Sequence, residues 1–246
     1  MKAIGVIPAR YGSTRLKAKV LADILGKPLI QHVWEGANRS KYLDDLYVAT
    51  DDERVKAVCE GFGAKVVMTS PECQSGSDRV IEAVKDLNAA HVLNIQGDEP
   101  LIDGSIIDGL IGALRKEKEA PVATVIKPIV KEEDLDNPNI VKVVIDRKGY
   151  ALYFSRSTIP FNREAAKFST LTYYKHLGIY AYQKSFLMSF KKLPRSILEE
   201  TEKLEQLRVL EAGYKIKTTL TDKETLSVDT AEDLDKVKAF LRKVRK

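Results

Sequence analysis

The chain has 246 residues, of which 44% are apolar and 30% charged, with 14 Gly and 9 Pro. That composition excludes collagen-like, low-complexity and disordered classes and fits one large domain, or one domain with a subdomain. The net charge of +5 suits an enzyme acting on an anionic substrate, and no extended basic stripe indicates nucleic acid.

Residues 2–7 (KAIGVI) read as a buried strand that Pro8 ends, too short and too soon followed by Arg10 for a signal peptide. A polar loop then runs to about Lys19, and residues 28–39 form a helix with Pro28 near its start and Trp34 in the core. Residues 45–50 are the second strand. Residues 51–63 are a helix capped by Asp51 or Asp52 and stopped by Gly61 or Gly63. A strand over 64–70, a helix over 77–87, a strand over 91–96, a helix over 105–118 and a strand over 121–127 continue the alternation. The expected class is α/β, a mostly parallel central sheet with helices on both faces.

After about residue 128 the pattern changes. Residues 141–146 and 151–155 read as strands around a turn, 155–174 as irregular, and 176–183 as a strand. Helices follow over 184–193 and 197–213, then a strand over 215–221 and a final helix from Thr230, with Asp233 as its third residue. The expected organisation is a single domain over 1–246, with 130–185 as a mixed-strand insertion. No run approaches 18 apolar residues, so no membrane insertion is expected. Cys59 and Cys73 lack metal-ligand spacing, and a reduced, cytoplasmic setting is the default.

Ligands of open parallel sheets gather at the carboxyl ends of the strands. The loop after the first strand places Arg10, Arg15, Lys17 and Lys19 around Gly12, Ser13 and Thr14. Backbone N–H groups, hydroxyls and guanidinium forks of this kind hold phosphates. Neither the P-loop spacing nor the dinucleotide glycine pattern is present. Asp98 follows the strand ending at Gln96 and is a candidate ligand for a divalent metal, with a turn residue capping the next helix as the other reading. Glu99 is the adjacent alternative. Asp229 is a second metal candidate or a helix cap, and Thr230 beside it is the better cap. Residues 74–79 (QSGSDR) could hold a base or sugar edge or simply begin a helix. Asp51 and Asp52 either close the pocket or cap their helix. His176 reads by itself as structural, and Glu205 and Gln206 as a solvated helix face. With no covalent nucleophile apparent, metal-dependent nucleotidyl transfer follows, by positioning and electrostatics.

Several stretches resemble a known family. VIPARYGSTRL at 6–16, QSGSDR at 74–79, NIQGDEP at 94–100 and NPNIVKVVID at 137–146 are similar to the sugar-acid cytidylyltransferases. ALYFSRSTIP at 151–160, KHLGIYAY at 175–182, LEQLRVLEAG at 204–213 and SVDTAEDLDKV at 227–237 complete the pattern. The YFSR...IP and HLGIY stretches narrow the resemblance to the 3-deoxy-manno-octulosonate (Kdo) cytidylyltransferases. The resemblance implies a nucleotide-diphospho-sugar transferase-like fold, and a homodimer built through the middle insertion. The implied reaction is CTP plus Kdo giving CMP-Kdo and diphosphate with Mg²⁺, the anomeric hydroxyl attacking the α-phosphorus. It implies that Arg10, Ser13, Arg15 and Lys19 contact the CTP phosphates, with Lys19 the main transition-state cation, and that Gln74, Ser75 and Arg79 lie by the cytidine. It further implies that Asp98 and Asp229 hold Mg²⁺ and that Gln96, Arg156, His176, Glu205 and Gln206 hold Kdo, Arg156 at its carboxylate. A related sialic-type sugar acid as acceptor, and a non-catalytic nucleotide-binding protein, are the alternative readings.

One departure stands out. The family loop reads R-L-P-G-K-P, whereas here it is Arg15-Leu16-Lys17-Ala18-Lys19-Val20. Losing both prolines and the glycine makes the loop less fixed before binding, and the register assigns the working lysine to Lys19.

Overall fold

The computed structural model describes every residue except 13–15, 17, 245 and 246. The chain divides into two compact units, Met1–Ile111 with Lys223–Lys246, and Gly112–Asp222. In the first unit, β1 (Ala3–Pro8) is buried along almost its whole length, as a strand covered on both faces must be. After it come a small hairpin of β2 (Asp23–Ile24) and β3 (Lys27–Pro28), helix α1 (Leu29–Ala37) and strand β4 (Asp45–Thr50). The hairpin turns through Leu25 and Gly26, both at positive φ, and no Asn-Gly or Asp-Gly pair announces it in the sequence. Trp34 is half-buried against Phe62 rather than deep in the core.

Helix α2 (Glu53–Gly61), strand β5 (Lys65–Met68), helix α3 (Gly76–Val84), strand β6 (His91–Asn94) and helix α4 (Gly104–Lys116) continue the alternation. The strands of this unit lie in the order β6-β1-β4-β5, and all their pairings are parallel. Their carboxyl ends therefore share one edge. Two aspartates that sequence left undecided now have separate tasks. Asp52 caps α2, its carboxylate accepting the Arg54 N–H at 2.9 Å. Asp51 instead receives the Arg79 guanidinium at 2.8 Å.

The second unit contains β7 (Val122–Pro128), β8 (Lys142–Ile145), β9 (Ala151–Ser155) and β10 (Tyr174–Gln183). It continues with α5 (Lys184–Ser189), α6 (Ile197–Glu202), α7 (Gln206–Glu211) and β11 (Ile216–Leu220). β7 pairs antiparallel with β10 and parallel with β11, and β8 and β9 form the expected antiparallel hairpin. The expected insertion at 130–185 lies inside this unit. The single helix expected over 197–213 is two: Lys203 takes a left-handed φ of 55° and ends α6. No glycine or proline marks that break, so the apolar periodicity ran through it. Back in the first unit, α8 (Ala231–Val244) starts at the anticipated reciprocal cap. There the Asp233 N–H donates to Thr230 Oγ1 at 3.2 Å and the Thr230 N–H to Asp233 Oδ2 at 3.1 Å.

Candidate functional site

The site in the first unit is built where β1 and β6 end. The chain after β6 turns through Gly97 directly over β1. A side-chain carbon on Gly97 would stand 2.7 Å from the Pro8 carbonyl oxygen, so only glycine fits this close approach. The next residue, Asp98, is half-buried. Its carbonyl accepts the Val228 N–H at 2.9 Å, which ties the segment before α8 to the same turn and sets Asp229 next to Asp98. Thr230 caps α8 through its own hydroxyl, which accepts the Asp233 N–H at 3.2 Å.

Between the two carboxylates lies Lys19. Its Nζ donates to Asp98 Oδ2 at 2.7 Å and to Asp229 Oδ1 at 3.0 Å. Lys19 begins a short 3₁₀ turn over Lys19–Leu21, and the residue before it, Ala18, sits at φ 52°, ψ 35°. That is the left-handed region glycine prefers, at the position where the family loop has its glycine. Burial works against the Lys19 charge, but the two carboxylates outweigh it and hold its pKa above the ordinary lysine value. Lys19 therefore stays a cation whose charge is shared by two acids.

Around this triad is a cleft of about 320 Å³. Arg10, Gln74, Ser75, Arg79, Gln96 and the triad itself line it, so the structure brings most of the expected nucleotide residues together. Ser13 and Arg15, with Thr14 and Lys17, lie outside the described residues. Ser75 also caps α3 in a reciprocal box with Asp78, and Arg10 is exposed at the cleft. Arg79 is buried, and its guanidinium is held by Asp51 at 2.8 Å and Thr69 Oγ1 at 2.6 Å. It forms part of the cleft wall, with Arg10 and Lys19 as further cations of the lining.

The other expected acceptor residues belong to the second unit. Arg156 follows β9; its Nε donates to the Glu202 carbonyl at 2.7 Å and its Nη1 to the Pro138 carbonyl at 2.8 Å. The Glu202 carboxylate fixes the same turn, accepting from Ser155 Oγ at 2.6 Å and from the Arg156 N–H at 2.9 Å. Below it, Lys142 is fully buried and its Nζ donates to the Asn137 and Arg156 carbonyls at 3.0 and 2.5 Å. Both side chains donate to backbone carbonyls, and burial lowers the Lys142 pKa from the ordinary lysine value. Sequence reasoning missed Lys142 and Glu202; a lysine inside an apolar strand was the one signal available.

His176 on β10 packs edge-on against Phe154, with ring centroids 4.9 Å apart, and tilts against Tyr180 at 5.4 Å. Burial pushes its pKa down to about 3, which favours the neutral imidazole. Gln206 is 6% exposed, and its Nε2 is a buried donor that finds no acceptor among the described residues. The solvated-face reading is therefore wrong for Gln206: the break at Lys203 rotates the second short helix and turns this residue inward. Glu205 beside it is half-buried.

Among the described residues, no group of three or more His, Cys, Asp or Glu is disposed to hold a metal. Asp98 and Asp229 are a pair, which suits an ion that takes part of its shell from a ligand's phosphates. No helix among the described residues is long and apolar enough to cross a membrane. Neither Cys59 nor Cys73 forms a disulfide, and Cys73 Sγ donates to Glu82 Oε2 at 3.2 Å.

Comparison with known proteins places this geometry. A protein 51% identical over 240 residues, 96% of this chain and 97% of the relative, is the 8-amino-3,8-dideoxy-manno-octulosonate cytidylyltransferase of Shewanella sp. (strain W3-18-1). The 3-deoxy-manno-octulosonate cytidylyltransferase of Thermodesulfovibrio yellowstonii is 51% identical over 246 residues, 96% of each chain. A solved structure of CMP:2-keto-3-deoxy-manno-octonic acid synthetase complexed with CTP superposes with a TM-score of 0.93 at 43% identity, covering 99% of both chains. It shares the largely parallel central sheet flanked by helices. The family profile described as Cytidylyltransferase matches residues 4–216, and this chain belongs to that cytidylyltransferase family.

Proposed function

We propose that this chain transfers the cytidylyl group of CTP to Kdo, giving CMP-Kdo and diphosphate and so activating the sugar for lipopolysaccharide synthesis. The observation that carries the reading is Lys19 held between Asp98 and Asp229 in a cleft at the carboxyl ends of β1 and β6. In the reaction the anomeric oxygen of Kdo forms the new bond to the α-phosphorus. The bond from that phosphorus to the bridging oxygen breaks, diphosphate leaves, and the proton of the anomeric hydroxyl passes to water.

Arg10 and Lys19 meet the triphosphate as preplaced positive charge, and Ser13 and Arg15 extend the same loop. Gln74, Ser75 and Arg79 form the wall for the cytidine. Lys19 exchanges a carboxylate for phosphate oxygen as the nucleotide enters, and is strongest when the α-phosphorus gains charge. Asp98 and Asp229 would hold Mg²⁺: their oxygens already surround one cation at 2.7 and 3.0 Å, and Mg²⁺ takes one or two carboxylates plus substrate phosphates. When bound it supplies Lewis-acid stabilisation of the phosphates. Arg156 takes the Kdo carboxylate, and Gln96, His176, Glu205 and Gln206 hold its hydroxyls; the buried, unsatisfied Gln206 Nε2 supports this.

The same reading assigns one cytidylyltransferase domain working in the cytoplasm, where CTP is available. It also assigns a homodimer formed through 130–185, where Leu152 and Phe161 are exposed apolar side chains. A second acceptor has a specific argument: the Shewanella relative at 51% identity carries the name of an 8-amino-3,8-dideoxy acid. Incubating the chain with CTP and an equimolar mixture of Kdo and its 8-amino analogue, with and without Mg²⁺, tests the reaction, its acceptor and its metal requirement by product mass. CMP-Kdo formed only with Mg²⁺ is the expected result. Exclusive transfer to the amino sugar would replace the acceptor, and no diphosphate release would leave a nucleotide-binding protein.

A further inference from the structure

Thr124 lies in the middle of β7 and is completely buried. Opposite it the ladder between β7 and β10 loses register: Leu177 pairs with Val125, but the next pair is Tyr180 with Thr124. Gly178 and Ile179 are the extra residues of this bulge. A bulge of this kind leaves carbonyls without their ladder partners, and the Thr124 side chain fills that role. Its Oγ1 lies 2.9 Å from the Ile179 carbonyl and 3.4 Å from that of Leu177. The same oxygen is 2.9 Å from Nε2 of His176.

A hydroxyl has one hydrogen and two lone pairs. Carbonyl oxygens only accept, so the Thr124 hydrogen goes to Ile179, the nearer one. Its oxygen then faces His176 as an acceptor. The imidazole completes the network only by donating from Nε2. If Nε2 instead carried a lone pair, three acceptors would compete for one hydrogen around a buried hydroxyl, leaving at least one of them unsatisfied. The low His176 pKa agrees with a neutral ring, and the packing of Phe154 and Tyr180 fixes its plane.

We propose that Thr124 is a positioning residue: it holds His176 as the Nε2–H tautomer, so that Nδ1 is the lone-pair face offered to a hydroxyl of the acceptor sugar. His176 thereby accepts a hydrogen bond from substrate without taking its proton. It orients the sugar and is not the base of the reaction. This deepens the reading above and rests on it for the ligand, although the tautomer itself does not.

The test is a two-bond ¹H–¹⁵N spectrum of the full chain labelled at histidine. Only His32, His91 and His176 contribute, and a His176→Gln variant assigns the third. Wild type is expected to show a protonated Nε2 and an unprotonated Nδ1 at His176. Thr124→Ser keeps that pattern, and Thr124→Val loses it to a mixture or to the other tautomer. In the transfer assay, Thr124→Val is expected to raise KM for Kdo about tenfold, with KM for CTP unchanged and Thr124→Ser near wild type. A wild-type spectrum with hydrogen on Nδ1 overturns the proposal even if Thr124→Val fails to fold. An unchanged tautomer in folded Thr124→Val overturns it too. The expected spectra together with no transfer to Kdo would defeat the functional reading and leave the tautomer assignment intact.

Discussion

Replacing Lys19 with alanine removes a cation that the structure places between Asp98 and Asp229, at 2.7 and 3.0 Å. Its side chain is only 14% exposed, so solvent screens these contacts incompletely. At about 3 Å and an effective dielectric near 20, each attraction is about 5 kcal/mol before desolvation. The cost of drying three charges cancels most of that, and the net loss of stability is about 1–3 kcal/mol. The effect on turnover is separate. A preplaced charge that meets developing negative charge is worth about 3–4 kcal/mol, or roughly a 10²–10³-fold loss in kcat. The assay is diphosphate release at saturating CTP and Kdo, with a thermal melt to show that the variant is folded. Lys17→Ala is the comparison, and its loss is expected to stay within about tenfold. Equal losses at the two lysines, or a folded Lys19→Ala enzyme within about fivefold of wild type, would refute the assignment.

Gly97→Ala places a carbon 2.7 Å from the Pro8 carbonyl oxygen. Backbone must shift to admit it, at about 1–3 kcal/mol, visible as a lower urea midpoint; an unchanged midpoint would show that the turn has slack. Ala18→Gly does the opposite, relieving a left-handed alanine at φ 52°. It should raise Tm by about 2–4 °C for a gain near 1 kcal/mol. Asp52→Ala removes the α2 cap and should cost about 1 kcal/mol at neutral pH. Its pairing with Arg54 holds the Asp52 pKa at about 2, below the usual 3.8. The stabilisation is therefore complete above about 4 and fades as pH falls through 2. Urea melts at pH 7 and pH 2.5 should show the penalty shrinking, and a constant penalty would contradict the pairing.

Much of the first unit was legible because its physics is local. Apolar runs closed by Pro8, Gly61 and the Thr230 cap mark strands and helices by short-range rules, and their alternation gives the parallel sheet. Arg10, Lys19 and Asp98 were readable because strand ends in such sheets collect ligands. The second unit was harder. Lys203 ends a helix in a left-handed conformation that a lysine does not advertise, so the inward turn of Gln206 was invisible to periodicity. Arg156, His176 and Glu205 came from resemblance alone. The Asp51–Arg79 pair and the Thr124 network join residues distant in sequence, which no spacing rule reaches.

The tie between Val228 and the Asp98 carbonyl also sets a schedule. Lys19 and Asp229 are 210 residues apart along the chain. At roughly 5–20 residues per second on the ribosome, the first waits tens of seconds for the second to be made. During that interval the growing polypeptide carries Asp98 without Asp229. The contact that joins Lys19 to Asp229 therefore forms only after the segment carrying Val228 has docked on the Asp98 turn.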